Sequence, residues 1–534
     1  MGHLSSICWI LVLILIPAGS QAAVHQYTGD LFRASGDAYL YQGGREGLFH
    51  SSYNALLKWN SLGKGLNNGK AYIKFQHLVF TRPDYLAAEH SPQDSDTGLV
   101  EALIFELGDR DRVGYETPQG RALCCSEDLV QATGCEPGHV IVKPHVESEG
   151  YVDVGWPQVI DFRFQGNDTT LIANPAIDVP ITKTGMYYLW YVICDRSLVG
   201  VNVTGMTVWK NPFGYLPGMM APFETFYGFM ALGYLALGAV WFMQYLRFWK
   251  DILALQNCIT AVIALCMLEM ATWYFDFVNF NTYGVRPYAT TVWAVTLGSV
   301  RKTISRMLIL VVSMGYGVVR PTLGGITSKV LMLGAAYFVA TCSLDVMQNV
   351  GTIDDLTSSA RIFLVLPVAV LDAIFILWIF TSLSKTLAQL QNRRQGAKLD
   401  LYRKFTNALA VSVLISIAWI AYEMWFKVTD QLNERWQSDW ILQAFWQVLN
   451  GGILAVICYL WAPTHNATRF AYGDDSVDDM DEEEVALTKV TQAQSKDKEA
   501  ATDSKAAAGK PSKSAVKTDV FSLEDDDVEE GKTE

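Results

Sequence analysis

Charge is what this sequence has least of: 18% of its 534 residues are Asp, Glu, Lys or Arg, and only eight are histidine. So little charge excludes a chain solvated evenly along its length. No stretch forms a basic face, which excludes nucleic acid as a partner on electrostatic grounds. Enzyme signatures are missing as well. GKGLNNGK (63–70) fails the spacing of a phosphate loop, and HVESE (145–149) lacks the second histidine of a zinc-binding helix. No histidine falls in a predicted span, so an intramembrane imidazole relay is not available. The expectation is therefore a non-enzyme with no cofactor and no metal.

What the sequence has in abundance is apolar surface: 51% of residues are hydrophobic and 12% aromatic. The formal charge of -13 is concentrated at one end, since positions 463–534 hold 19 acidic and 9 basic residues. That segment has no apolar periodicity and reads as a disordered acidic cytosolic tail. At the other end, residues 1–23 read as a secretory signal: Ile7 to Ile16 supply the apolar centre, Pro17 and Gly19 break it, and Ser20-Gln21-Ala22 supplies small residues.

Between these ends the chain changes solvent once. Residues 24–215 carry short apolar or alternating runs, Ala71–Phe80, Leu99–Leu107, Tyr151–Phe164, Met186–Cys194 and Val199–Trp209. Gly, Pro and Asp separate them, the pattern of an antiparallel β-sandwich. Cys124, Cys125, Cys135 and Cys194 form an even set, expected to give two disulfides with three connectivities open. Asn167 and Asn202 head sequons. Residues 216–462 hold seven predicted spans: Ala221–Leu246, Leu253–Phe275, Tyr288–Val319, Ser328–Val350, Ala360–Leu383, Lys404–Phe426 and Trp440–Trp461. Ten basic residues fall in one set of loops and four, Arg286, Arg361, Lys427 and Arg435, in the other. This asymmetry places the N-terminal domain in the lumen and the tail in the cytosol.

The third span is the anomaly, because Arg301, Lys302 and Arg306 sit in it with Ser305 among them. Each such cation costs about 2.5–3.5 kcal/mol at mid-membrane unless it is compensated. Glu269 and Asp276 lie on the second span, and counting along both helices puts Glu269 at the depth of these cations. Glu269 is thus expected to pair with Arg301, Lys302 or Arg306 beside a lumen-facing cavity. Surplus positive charge there would receive an anionic phospholipid or cargo group. Asp345, Asp372 and Glu423 are further intramembrane or boundary acids, expected to make interhelical hydrogen bonds.

Several long stretches together resemble the GOST family, the Golgi-dynamics-domain seven-transmembrane proteins, also called lung seven-transmembrane receptor-like proteins. They include TGMYYLWYVICD (184–195), VWKNPFGYLPGMMAPFETFYGFMALGY (208–234), LEMATWYFDFVNFNTYG (268–284), RKTISRMLILVVSMGYGVVRPTLGGITSK (301–329) and WAPTHNATRFAY (461–472). CCSEDLVQATGC (124–135) is similar to the family's lumenal cysteine motif. The resemblance implies a GOLD-like β-sandwich on a seven-helix bundle in Golgi or endosomal membranes, with the plasma membrane as the alternative. It implies a role in vesicular trafficking, with membrane lipid or protein cargo as ligand and trafficking adaptors on the cytosolic side. Two alternatives remain open: a receptor acting through a G protein, and a Golgi cation channel.

Overall fold

The computed structural model describes residues 23–50, 70–88, 91–94, 96–118, 120–143, 156–173, 178–250, 252–316, 325–350, 358–430 and 432–463. The expected signal peptide, all but the first residue of the expected tail, and the glycine-rich turn after the third span therefore fall almost wholly outside the described residues.

The N-terminal part is built of strands β1 (Val24–Leu31), β2 (Arg33–Ser35), β3 (Ala38–Leu48), β4 (Tyr72–Thr81), β5 (Gly98–Glu106), β6 (Tyr115–Thr117), β7 (Gly120–Ala122), β8 (Gln158–Phe164), β9 (Thr170–Ile172), β10 (Asp178–Pro180), β11 (Gly185–Ile193) and β12 (Asn202–Lys210). One sheet runs β1-β12-β4-β10, with β9 also on β4; the other runs β2-β3-β11-β5-β8. Side chains alternate between faces along a strand. Phe75 and Phe80 of β4 and Val203 of β12 therefore meet Val100, Ala102 and Ile104 of β5 and Leu189 and Tyr191 of β11 in one buried core. This is a two-sheet antiparallel sandwich.

The opposite face of β5 is covered too. Leu103 and Phe105 pack with Val192 against Val113, Leu123, Cys124 and Val140, which belong to a cap of chain between β5 and β8. Two disulfides staple the cap: Cys124–Cys194 ties it to the end of β11, and Cys125–Cys135 closes its own loop. Loop-closure entropy gives about 4 kcal/mol for the long loop and about 3 kcal/mol for the short one.

Strands β1 to β3 have no counterpart among the expected runs; Gly29, Gly36, Gly43, Gly44 and Gly47 interrupt the pattern there. Two of these glycines serve close packing instead. A Cβ at Gly43 would lie 2.6 Å from the Tyr191 ring, and one at Gly47 would lie 2.6 Å from the Trp436 ring.

Helices follow: α1 (Ala221–Arg247), α2 (Ala254–Tyr283), α3 (Tyr288–Ser313), α4 (Ile326–Val350), α5 (Ser358–Asn392), α6 (Gly396–Thr429) and α7 (Trp440–Leu460). Six of them are long and apolar enough to cross a membrane, α3 being the exception. Its 26 residues suffice in length, but Arg301, Lys302 and Arg306 interrupt the apolar run. The span expected to reach Val319 ends at Ser313, and Gly315 takes the left-handed φ of +85° just beyond it. Large apolar side chains on α1 and α6, among them Phe229, Leu232, Phe242, Leu414 and Ile417, are exposed as lipid-facing surfaces are. The buried side chains of α2 and α3 form the middle of the bundle core.

Candidate functional site: charged seams around the third helix

Helix α3 satisfies its own small polar groups first. The hydroxyls of Thr296, Ser299 and Thr303 each donate to the carbonyl one turn back, so they add no unpaired donor to the apolar interior. The cations have no such outlet, because a shared carbonyl lone pair does not compensate a full charge in an apolar interior. Each turns to a different neighbouring helix.

Arg301 points at α2. Its Nε donates to Oε2 of Glu269 in a very short contact, and its Nη2 donates to Oε1 at 3.3 Å. Both side chains are buried. The same Nη2 reaches Oε1 of Gln447 on α7 at 3.1 Å, so one guanidinium joins three helices. Gly298 makes room for this: a Cβ there would stand 2.9 Å from Oε1 of Glu269. A lone glycine inside an otherwise regular helix was the available signal for that contact, and sequence reasoning passed over it.

Lys302 points at α4. Its Nζ donates to both oxygens of Asp345, at 2.9 and 2.8 Å, and the Ser299 hydroxyl, its one proton shared with the Val295 carbonyl, lies 3.0 Å from Oδ2. Arg306 points at α5, with Nη2 3.1 Å from Oδ1 of Asp372 in an ion pair. These two pairs are more open than the first, with about a third of each cationic side chain exposed. Ser305 is half-buried on the same helix and takes part in none of these described pairs.

Asp276 forms a separate seam two turns along α2 from Glu269. It accepts from Arg286 Nε at 2.8 Å and from the hydroxyls of Thr290 and Thr291 at 2.9 and 3.0 Å. Arg286 also lies over the rings of Trp273 and Phe277. The sequence placed Arg286 among loop charges, yet only 4% of its side chain is exposed. The α2–α3 turn is too short to carry it out to solvent.

The expected pairing of Glu269 with one of three cations thus resolves to Arg301, and Asp345 is hydrogen-bonded across helices, whereas Asp372 meets Arg306 as an ion pair with no hydrogen bond at its Oδ1. Glu423 departs from its expectation. It accepts from Lys427 at 2.6 Å along its own helix, and the Lys427 side chain is more than half exposed. The expected surplus of positive charge also requires correction. Arg301, Lys302 and Arg306 face Glu269, Asp345 and Asp372 one to one, so the described cluster is neutral.

A second arrangement links the sandwich to the helices. Asn211, just after β12, accepts from Phe49 N at 2.8 Å and donates to the carbonyls of Gly47 and Leu216. Asn281 on α2 accepts from Leu216 N at 3.1 Å and donates to Glu224 on α1 at 3.1 Å. Trp436, just before α7, packs edge-on against Phe49 with ring centroids 5.3 Å apart. Two asparagines and one tryptophan therefore tie β3, β12, α1, α2 and the approach to α7 into one junction. Of the sequons, Asn167 is exposed beyond β8, whereas Asn202 is half-buried in the β12 ladder.

Against this architecture the comparisons are specific. Residues 222–468 match the family described as "GOST, seven transmembrane domain". That matched segment, just under half of the chain, is similar to a GOST seven-transmembrane domain. Its relatives include transmembrane protein 87B of Mus musculus, 34% identical over 307 residues, covering 57% of this chain and 53% of the relative. Transmembrane protein 87A of Homo sapiens is 36% identical over 285 residues, covering 53% and 50%. Membrane protein PTM1 of Saccharomyces cerevisiae is 25% identical over 399 residues, covering 71% and 73%. The chain spans about half the length of the transmembrane protein 87 relatives it matches. The matched segment begins within α1 and takes in every charged seam described above. The chain is an integral multi-pass membrane protein.

Proposed function

We propose that this GOST-domain protein serves vesicular trafficking in Golgi and endosomal membranes. The sandwich holds cargo or lipid on the lumenal side and communicates its loading to the helices. The observation that carries this reading is the junction of Asn211, Asn281 and Trp436. A sandwich hung on a loose linker would have no means of passing its state to α1, α2 and α7, whereas a hydrogen-bonded seat does. Lipid is the ligand the membrane itself supplies. An anionic headgroup at α3 has to compete with Asp345 or Asp372, so the two half-open pairs are its entry points and Arg301 is not. Adaptors on the cytosolic side complete the proposal.

The receptor reading shares the seven-helix frame and the same junction. The channel reading draws on the carboxylates Asp345 and Asp372, which a cation path would have to separate from Lys302 and Arg306.

Localisation of the tagged full-length chain, together with the transit time of a secretory reporter, tests the proposal. Golgi and endosomal residence with delayed transit in cells lacking the protein is expected. Steady residence at the plasma membrane with unchanged transit would overturn it.

A further inference from the structure

Outside the helices, the fold gathers three residues that lie far apart in sequence. Glu101 of β5, His139 of the disulfide-stapled cap and Asp161 of β8 present one ligand atom each, all within 4.8 Å of one another. Glu101 and Asp161 stand directly opposite in the β5–β8 ladder. Like charges in that position are destabilising unless a cation lies between them. Glu101 is buried. Its described polar partners are His139 and the amide of Val140, neither of which is a fixed cation.

We propose that Glu101, His139 and Asp161 bind a divalent transition-metal ion of the zinc type, which fastens the cap to the sheet. The donor set suits such an ion: one imidazole and two carboxylates, with water completing the shell on the open side. Nδ1 of His139 and Oε1 of Glu101 lie 2.9 Å apart. Two ligands of one tetrahedral ion at bond lengths of about 2.0–2.1 Å stand roughly 3.3 Å apart, so a small separation of the two atoms admits the metal.

One outer support is in place: the amide of Val140 donates to Oε2 of Glu101 at 2.8 Å. Supports of this kind orient metal ligands. Arg163 engages Oδ2 of Asp161 at 3.0 Å from the solvent side, where both side chains are open. Asp161 is therefore the ligand through which an ion enters. No linear motif announces the site, because the three residues come from two strands and a cap.

The test uses the full-length chain purified in detergent, stripped with a chelator and titrated with zinc ion alone by calorimetry. One ion per chain is expected, together with a raised melting temperature. His139→Gln and Asp161→Asn are each expected to weaken binding by about tenfold or more. Asp161 is exposed, so its substitution leaves the buried seam intact and keeps the test valid if another variant folds poorly. Zinc binding of unchanged stoichiometry and affinity in both variants, or no binding by the parent chain, overturns the site.

Discussion

Two buried arginines, one in the sandwich and one in the bundle, are neutralised by opposite means. Arg82 donates to the carbonyls of Asp168, Thr97 and Gly166, at 2.7, 3.1 and 2.8 Å, and lies over the Phe164 ring. Arg301 donates to a carboxylate and an amide side chain. The difference is one of backbone supply. The turns around β8 and β9 leave carbonyls unclaimed by any ladder, and a five-donor fork can collect several of them. A helix bundle leaves none in its interior, so its counter-charge has to come from an acid on another helix. Burial lowers the Arg82 pKa, as expected of a cation held by dipoles instead of by an opposing charge. The sandwich arginine organises a loop, while the bundle arginine selects which helices are neighbours.

This contrast is open to direct attack. The largest effect is expected at the Arg301–Glu269 pair. Arg301→Met leaves a buried carboxylate unpaired and should cost about 3–5 kcal/mol, whereas Arg301→Met with Glu269→Leu should regain most of it. Melting temperature and monodisperse yield in detergent measure both variants. A double variant no better than the single one would show that the arginine matters through something other than its acid.

Arg82→Met should cost less, about 2–3 kcal/mol, by stranding buried carbonyls. No second substitution should rescue it, since its partners are main chain. Protease cleavage between β8 and β9, followed over time, reports the freed loop, and rescue by a change at Asp168 would contradict the carbonyl account. The smallest effect is expected at Glu423. Glu423→Gln should change stability by about 0.5 kcal/mol or less, because its pair runs along one helix and is partly solvated. A loss comparable to that of Arg301→Met would place Glu423 in a helix–helix contact that the geometry does not contain.

Particular elements explain what could be read before the fold was known. The expected runs Ala71–Phe80, Leu99–Leu107 and Met186–Cys194 lie within about one residue of β4, β5 and β11, because the first alternates with period two and the other two are short, nearly continuous apolar runs. Strand β3 was invisible because its glycines are there for Tyr191 and Trp436, residues that sit far along the chain. Glu269 and Arg301 could be matched by counting residues along helices, which is arithmetic on rise per turn. Arg286 could not, since only the tightness of the turn at Gly284 to Pro287 keeps it inside. Glu101, His139 and Asp161 gave no linear signal at all.

The sequence by itself determined the change of solvent near residue 221, the succession of apolar helices, and the fact that three cations on one helix needed compensation. Those are properties of composition and period, which act locally. Only the tertiary structure decided which carboxylate answers which cation, how Cys124 and Cys125 choose their partners, and how Asn211 and Asn281 seat the sandwich. Pairing is a matter of distance between elements. Packing sets that distance, and no single segment encodes it.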